Sequence, residues 1–466
     1  MCDDLEQHNR NGARTNPRTN PDDEGRPLDP QRRRALLHGL FGAGWLGLRA
    51  LATGVPVAIL ANPRRALADT DPTTCFSTAK AQYLILSTSG SGDPLNANVP
   101  GTYAFPTIAH SLDPLMAKTS FKLGSQTVEA AAPWSTLPQA VLDRTTFFHH
   151  TTLTNSHANQ PKVMRLMGGT RRQEMLVSFF ASQLAPCLGT VQHEPVVVGA
   201  SGSGEFLSYE GRVLPALSPS ALRDTLANPA GPLGTLQQLR DADLNRLNTI
   251  FKAHGTSQQR SYLDRLAQTQ TEARGISQQL LENLTAITAN DATNQVLAAV
   301  TLIKMNVTPV ISMHIPFGGD NHTDTDLAGE TKQTVAATAT MALLFQKLTE
   351  LGLQDRVTFA AMNVFGRTLA KKGTTGRDHL ANHHATVMFG KGLKGGVVGG
   401  LVPQAGDFAA LPIVSATGAG DASGDIAFND TLNAMAKTLG SAMGVDPAAL
   451  DVNILSGKPV LSALAG

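Results

Sequence analysis

The chain has 466 residues, of which 42% are hydrophobic and 16% charged, with a formal net charge of +1. Such a chain is globular and long enough to bury a large core, in one big α/β domain or in two smaller ones. A charge this near zero, with no long Lys/Arg block, excludes the electrostatic footprint of a nucleic-acid partner.

Residues 1–68 read as an address label. Residues 1–30 are polar, rich in Asn, Arg, Asp and Pro, and cannot bury enough apolar surface to offset ordering entropy. Arg32-Arg33-Arg34 introduces an apolar run from Ala35 to Ala61, and Ala66-Leu67-Ala68 supplies a small-x-small cleavage site. That order of parts resembles a twin-arginine export signal, with cleavage expected after Ala68 and a periplasmic or secreted product. His38, Arg49, Pro56 and several glycines argue against a stable spanning helix of about 20 residues. The exported form keeps two of the three cysteines, Cys75 and Cys187, in an oxidising compartment. A disulfide is permitted, but spacing alone cannot bring the Cα atoms into range, so two buried thiols are the favoured reading.

From Asp69 onward short apolar runs alternate with helical patterns. Tyr83 to Leu86, Thr145 to Phe148, Pro195 to Val198, Val307 to Met313, Val357 to Met362 and Ala385 to Phe389 are apolar on both parities, as strands covered on both faces must be. Thr334 to Leu351 puts Val335, Met341, Leu344, Leu348 and Leu351 on one helical face and stops at Gly352. The resulting strand, helix, strand unit predicts an α/β fold with a mostly parallel sheet and helices on both faces, as one domain over 69–466. Residues 217 to about 300 lack strand-like runs and are expected to form a helical insertion or lid. Gly199 to Gly204 lacks the Lys and the Gly spacing of the nucleotide-binding fingerprints and reads as a flexible connection.

Chemistry concentrates near the strand ends, where ligands bind in open α/β sheets. Gly319-Asp320-Asn321-His322 follows one strand, and Gly376-Arg377-Asp378-His379, with His383 and His384, precedes another. Carboxylates and imidazoles at that density suit a divalent metal, and the two pairs are expected on one rim of the sheet. A single Asp or His would be a cap or a surface imidazole; two Asp-His pairs around one crossover leave site and cap evenly matched. Upstream, Phe147-Phe148-His149-His150 ends a strand, and Thr154-Asn155-Ser156-His157 opens what reads as a helix through Val163, Leu166 and Met167. Ser156 at that helix start is the candidate nucleophile, and a plain capping role for it stays open. No Gly-x-Ser-x-Gly elbow follows a plausible strand, and Ser201 and Ser203 fail the spacing of a serine esterase.

The series Gly319-Asp320-Asn321-His322, Phe365-Gly366-Arg367-Thr368, Gly376-Arg377-Asp378-His379 and Lys394-Gly395-Gly396 resembles the bacterial domain-of-unknown-function family 1501. Its members read W-D-T-H, S-E-F-G-R-T, G-R-D-H and a late glycine run, after a twin-arginine signal. The likeness runs from about Tyr83, where Ser87 to Pro100 resembles the family's Gly-rich first loop, to the C-terminus. The family is placed in the alkaline phosphatase and sulfatase superfamily. The resemblance therefore implies an alkaline phosphatase-like three-layer sandwich that cleaves phosphate or sulfate esters with a Ser or Thr nucleophile and divalent metals.

Carried onto this sequence, the resemblance implies Asp93 as the first acidic ligand and Ser156 as the nucleophile. It implies Asp320 and His322 as ligands of one metal, Asp378 and His379 as ligands of another, and Arg367 or Arg377 on the free ester oxygens. Val364 stands where the family has Glu, and Gly319 where it has Trp. No histidine follows His384, so His383, or else His384 or His157, has to complete the metal site. Zinc, manganese, magnesium and calcium all suit such donors. Two readings follow: an exported metal-dependent hydrolase acting on a small-molecule ester, or a catalytically degenerate relative that binds an envelope component.

Overall fold

The computed structural model describes residues 75–199, 207–226, 246, 249–250, 252–257, 260, 278–371 and 375–466. The expected export signal at 1–68, and all of the Gly199–Gly204 connection except Gly199, lie outside them. Among the described residues eight strands form the central sheet: β1 (Tyr83–Ser87), β2 (Thr145–His150), β3 (Val196–Val198), β4 (Ala216–Leu217), β5 (Val310–Met313), β6 (Val357–Ala361), β7 (His384–Phe389) and β8 (Gly396–Val398). They lie in the order β8-β2-β7-β6-β1-β5-β3-β4. All residues of β1, β2, β5, β6 and β7 are buried whatever their parity, as cover on both faces requires.

The principal helices are α1 (Leu176–Leu188), α2 (Pro219–Leu226), α3 (Gln278–Thr285), α4 (Ala292–Lys304), α5 (Ala328–Glu350) and α6 (Thr431–Ala442). Helix α5 joins β5 to β6, which both pair in parallel with β1, so the expected crossover unit spans the middle of the sheet. It begins ahead of the expected start because Asp324 accepts from the Gly329 and Glu330 amides and satisfies the first turn. Helix α4 begins within the stretch expected as an insertion, yet its Val296, Ala299 and Val300 are core residues. The end of that stretch therefore belongs to the main body. Among the described residues no helix is long and apolar enough to cross a membrane.

The sheet is mixed, because β7 runs antiparallel to both β6 and β2. Among the described residues between β6 and β7 the chain makes only short strands and loops. A parallel return needs a crossover of a dozen or more residues that carries the chain back to the opposite edge, usually as a helix. Without one, β7 starts at the rim where β6 ends. Residues 375–383 are thereby delivered beside the loops that follow β1, β2, β5 and β6.

Cys75 and Cys187 form a disulfide with a Cα–Cα distance of 4.9 Å. This corrects the expectation of two free thiols. The bridge ties the first described residue to the end of α1 across a sequence separation of 112 residues, a proximity that only the tertiary fold creates.

Candidate functional site

The motifs at 319–322, 365–368 and 376–379 assemble through their backbones. Gly366–Arg367 and His379–Leu380 form an antiparallel ribbon in which Arg367 lies opposite His379. The Gly376 and Arg377 amides donate to the carbonyls of His322 and Asn321. A Cβ on Gly376 would lie 1.8 Å from the Asn321 carbonyl oxygen, so only glycine lets the two loops approach this closely.

At the rim, His322 Nδ1 is 3.1 Å from Asp378 Oδ1 and His322 Nε2 is 2.8 Å from His379 Nε2. Asp320 Oδ1 lies 3.7 Å from His322 Nε2, and His379 Nδ1 lies 2.6 Å from the Asn155 carbonyl oxygen. The His157 ring stands edge-on to His379 with centroids 4.6 Å apart, its Nδ1 held by the Gly90 carbonyl. Phe365, fully buried, stacks on His379 at 4.2 Å and floors the group. Burial first, then the Arg367 guanidinium and the neighbouring His157 and His322 rings, hold the His379 imidazole below its ordinary pKa against the opposing Asn155 hydrogen bond.

These contacts fix the tautomers. The Asn155 carbonyl can only accept, so His379 Nδ1 carries the proton; the Asp378 carboxylate accepts, so His322 Nδ1 does too. With both rings neutral, the two Nε2 atoms present lone pairs to one another across 2.8 Å. A carboxylate and a carbonyl that orient imidazoles in this way are the usual outer shell of a metal centre.

Against this, Arg367 Nη1 lies 3.0 Å from the same His322 Nε2. Two nitrogens on one tetrahedral zinc at about 2.0–2.1 Å would stand roughly 3.3 Å apart. Among the described residues no group of three or more His, Cys, Asp or Glu side chains is placed to hold a metal ion. The donor types of His322, His379 and Asp320 fit a divalent ion, provided the rings open by about half an ångström and Arg367 withdraws its N–H.

The other expected residues take different places. His383 is fully buried, with Nε2 at 2.8 Å from His149 Nδ1, and takes no part in the rim group. It is next to the motif in sequence, but it stands directly before β7 and turns inward against His149 of β2. Arg377 is also fully buried. It donates through Nε and Nη2 to Glu330, through Nη1 to the Thr368 and Leu369 carbonyls, and through Nη2 to the Ala109 carbonyl. Every guanidinium N–H is thereby used, and none is left for an ester oxygen. Arg367, also without exposed side-chain surface, donates to the Gly92 and Ser91 carbonyls and to Asp320 as well as His322.

Asp93 is fully buried and accepts from the Gly319 amide at 3.0 Å and from His314 Nε2 at 3.1 Å. It acts from beneath the 319–322 loop, apart from the facing imidazoles. The helix expected after Ser156 is broken into the short turns His157–Asn159, Gln160–Val163 and Leu166–Gly168, with Leu166 and Met167 at positive φ. Ser156 is exposed and makes no side-chain capping bond. It adjoins Asn155, whose carbonyl holds His379. Val364, where glutamate was expected, is fully buried.

Two residues escaped the sequence reading. Glu330 is fully buried and accepts from Arg377, Asn98 and Asn321, clamping both Asp-His loops to the start of α5. In sequence it looks like an ordinary acidic residue in a helix's first turn. His314 directly follows an apolar run, and that placement is the signal that would have found it.

No curated protein matches the chain. Among solved structures it is similar to a crystal structure of Ps i-CgsB in complex with k-i-k-neocarrahexaose, at 8% identity and a TM-score of 0.33, covering 81% of this chain and 75% of that one. A second crystal structure of Ps i-CgsB aligns at 9% identity and a TM-score of 0.31 over the same shares. Likeness of that size carries no argument about fold or activity. The model of the family described as "Protein of unknown function (DUF1501)" matches residues 218–416, the stretch that holds all three assembled motifs, and supports placing this chain in that family.

Proposed function

We propose that the chain is an exported metal-dependent hydrolase of phosphate or sulfate esters, built on an alkaline phosphatase-like three-layer fold. The observation that carries this reading is the facing pair His322 Nε2 and His379 Nε2, 2.8 Å apart, with both ring protons committed to the opposite nitrogens. His322, His379 and Asp320 would hold the ion, which when bound would polarise an ester oxygen and lower the pKa of an attacking hydroxyl. Asp378 and the Asn155 carbonyl orient the two imidazoles. Ser156 is the proposed nucleophile: its Oγ forms a covalent ester with phosphorus or sulfur, the alcohol departs with a proton, and water then releases the anion. Because Ser156 follows Asn155, nucleophile and ligand are held by one loop. The disulfide supports an oxidising destination.

One observation favours the second reading, a catalytically silent relative that binds an envelope component. Arg367 sits on the nitrogen a metal would need. Assays of aryl phosphates and aryl sulfates with the parent and with Ser156→Ala separate the two. The hydrolase reading expects turnover in the parent that falls by at least about a thousandfold in the variant, with metal content unchanged. Equal rates in both proteins would remove Ser156 from the mechanism, and no turnover with either ester class would favour the silent relative.

A further inference from the structure

Behind the rim, His149 and His150 of β2 lie against His383 and His384 at the β7 end of the sheet, all fully buried. The hydrogen bonds of two of them run in one direction. His149 Nε2 is 2.9 Å from the Pro100 carbonyl oxygen, which only accepts, so Nε2 carries the proton and Nδ1 of the neutral ring accepts. The atom 2.8 Å from that Nδ1 is His383 Nε2, which must donate, leaving His383 Nδ1 to accept from Asn96 Nδ2 at 3.4 Å. The same Asn96 amide donates to the Arg367 carbonyl at 2.8 Å, and its oxygen accepts from the Arg367 N–H at 3.4 Å. Next to it, a Cβ on Gly366 would lie 2.0 Å from the His383 carbonyl oxygen, so this strand of the ribbon rests directly on His383.

We propose that His149, His383 and Asn96 form a positioning relay that fixes the backbone of Arg367 and, through its guanidinium, the placing of His322, Asp320 and the Gly-rich loop at Ser91 and Gly92. The relay tolerates one protonation state only. A proton added to His149 Nδ1 sets two N–H groups face to face across 2.8 Å, and one added to His383 Nδ1 faces the Asn96 N–H across 3.4 Å. The titratable groups around the pair are His150 from β2 and His384 from β7; the Arg367 side chain points to the rim, and among the described residues no carboxylate hydrogen-bonds to either ring. Burial, the leading cause, holds both imidazoles below their ordinary pKa and so keeps the relay intact near neutral pH. What the positioned rim does rests on the hydrolase reading, whereas the relay itself does not.

The test is hydrogen exchange, read by mass spectrometry on the full chain, for the parent, His383→Phe and His383→Gln. Phe fills the space without hydrogen bonds, and the Gln amide restores a donor and an acceptor. Expected is an exchange rise of about tenfold or more over residues 88–97 and 363–371 in His383→Phe, little change in α4, and recovery in His383→Gln. An unchanged pattern in His383→Phe, a rise spread equally into α4, or equal failure of both variants would overturn the relay. Should His383→Phe not fold, imidazole nitrogen-15 shifts of the parent decide instead: Nε2–H tautomers at both His149 and His383 support the relay, and an Nδ1–H tautomer at either overturns it. Zinc titrated alone into the parent and His383→Phe tests the link to the rim, with affinity expected to drop about tenfold in the variant. Equal zinc affinity in the two would overturn that link. No zinc binding by the parent would count against the hydrolase reading, and the exchange pattern would still decide the relay.

Discussion

At Glu330 one buried carboxylate receives Arg377 through Nε at 2.7 Å and Nη2 at 3.1 Å, Asn98 at 2.7 Å and Asn321 at 2.9 Å. Such a pair has little net worth against apolar residues of the same shape, but breaking one side strands a buried charge at roughly 3–5 kcal/mol. Glu330→Gln is therefore expected to lower the unfolding free energy by that order in denaturant titrations, and the double variant Glu330→Leu, Arg377→Met to recover much of the loss. Recovery would identify the pair as a clamp for the loops. It would also explain why Arg377, read from sequence as an ester-binding group, is unavailable: a motif records that an arginine is needed and is silent on whether it faces substrate or protein. The same ambiguity misplaced His383, whose neighbourhood is set by the side of β7 on which it falls. Asp320, His322, Asp378 and His379 were legible as a group because two Asp-His pairs flank one crossover, and sheet topology leaves such residues few places to go.

Among the elements, six strands of the central sheet were readable from runs apolar on both parities. The other two were not. Ala216–Leu217 is too short to show a period, and Gly396–Val398 is three residues that begin on the second glycine of Gly395-Gly396. The direction of β7 was also hidden, since direction follows from the length and type of the connection before it and a strand's own residues do not encode it. The helix predicted after Ser156 failed because Leu166 and Met167 adopt left-handed backbone that periodicity cannot reveal. The disulfide between Cys75 and Cys187 is the element-scale feature with the largest expected energy. Closing a loop of this length removes much of the unfolded chain's freedom, and Cys187→Ala or reduction is expected to cost about 2–5 kcal/mol, measured as a lower denaturation midpoint. No change on reduction would mean that the unfolded chain is already compact around the bridge.

For the molecule as a whole, the buried histidines make stability depend on acid. His149 and His150 are lowered from 6.5 to about 4, and His383 and His384 well below 6.5, chiefly by burial. They are neutral when folded and take up protons when unfolded, so the unfolded state binds more protons below the ordinary value. Their contribution is fully present above about pH 6.5 and is lost as pH falls toward about 4, at roughly 1.4 kcal/mol per group per pH unit. Melting temperature should thus be flat from about pH 7 to 8 and fall steeply below 6.5; a flat profile to pH 4 would show that these rings keep their ordinary pKa in the folded chain. The central claim concerns the rim, and its most direct test is elemental analysis of the purified chain beside a His322→Ala, His379→Ala double variant. The account predicts about one divalent ion per chain in the parent and none in the variant; no metal in either, or equal metal in both, would contradict it.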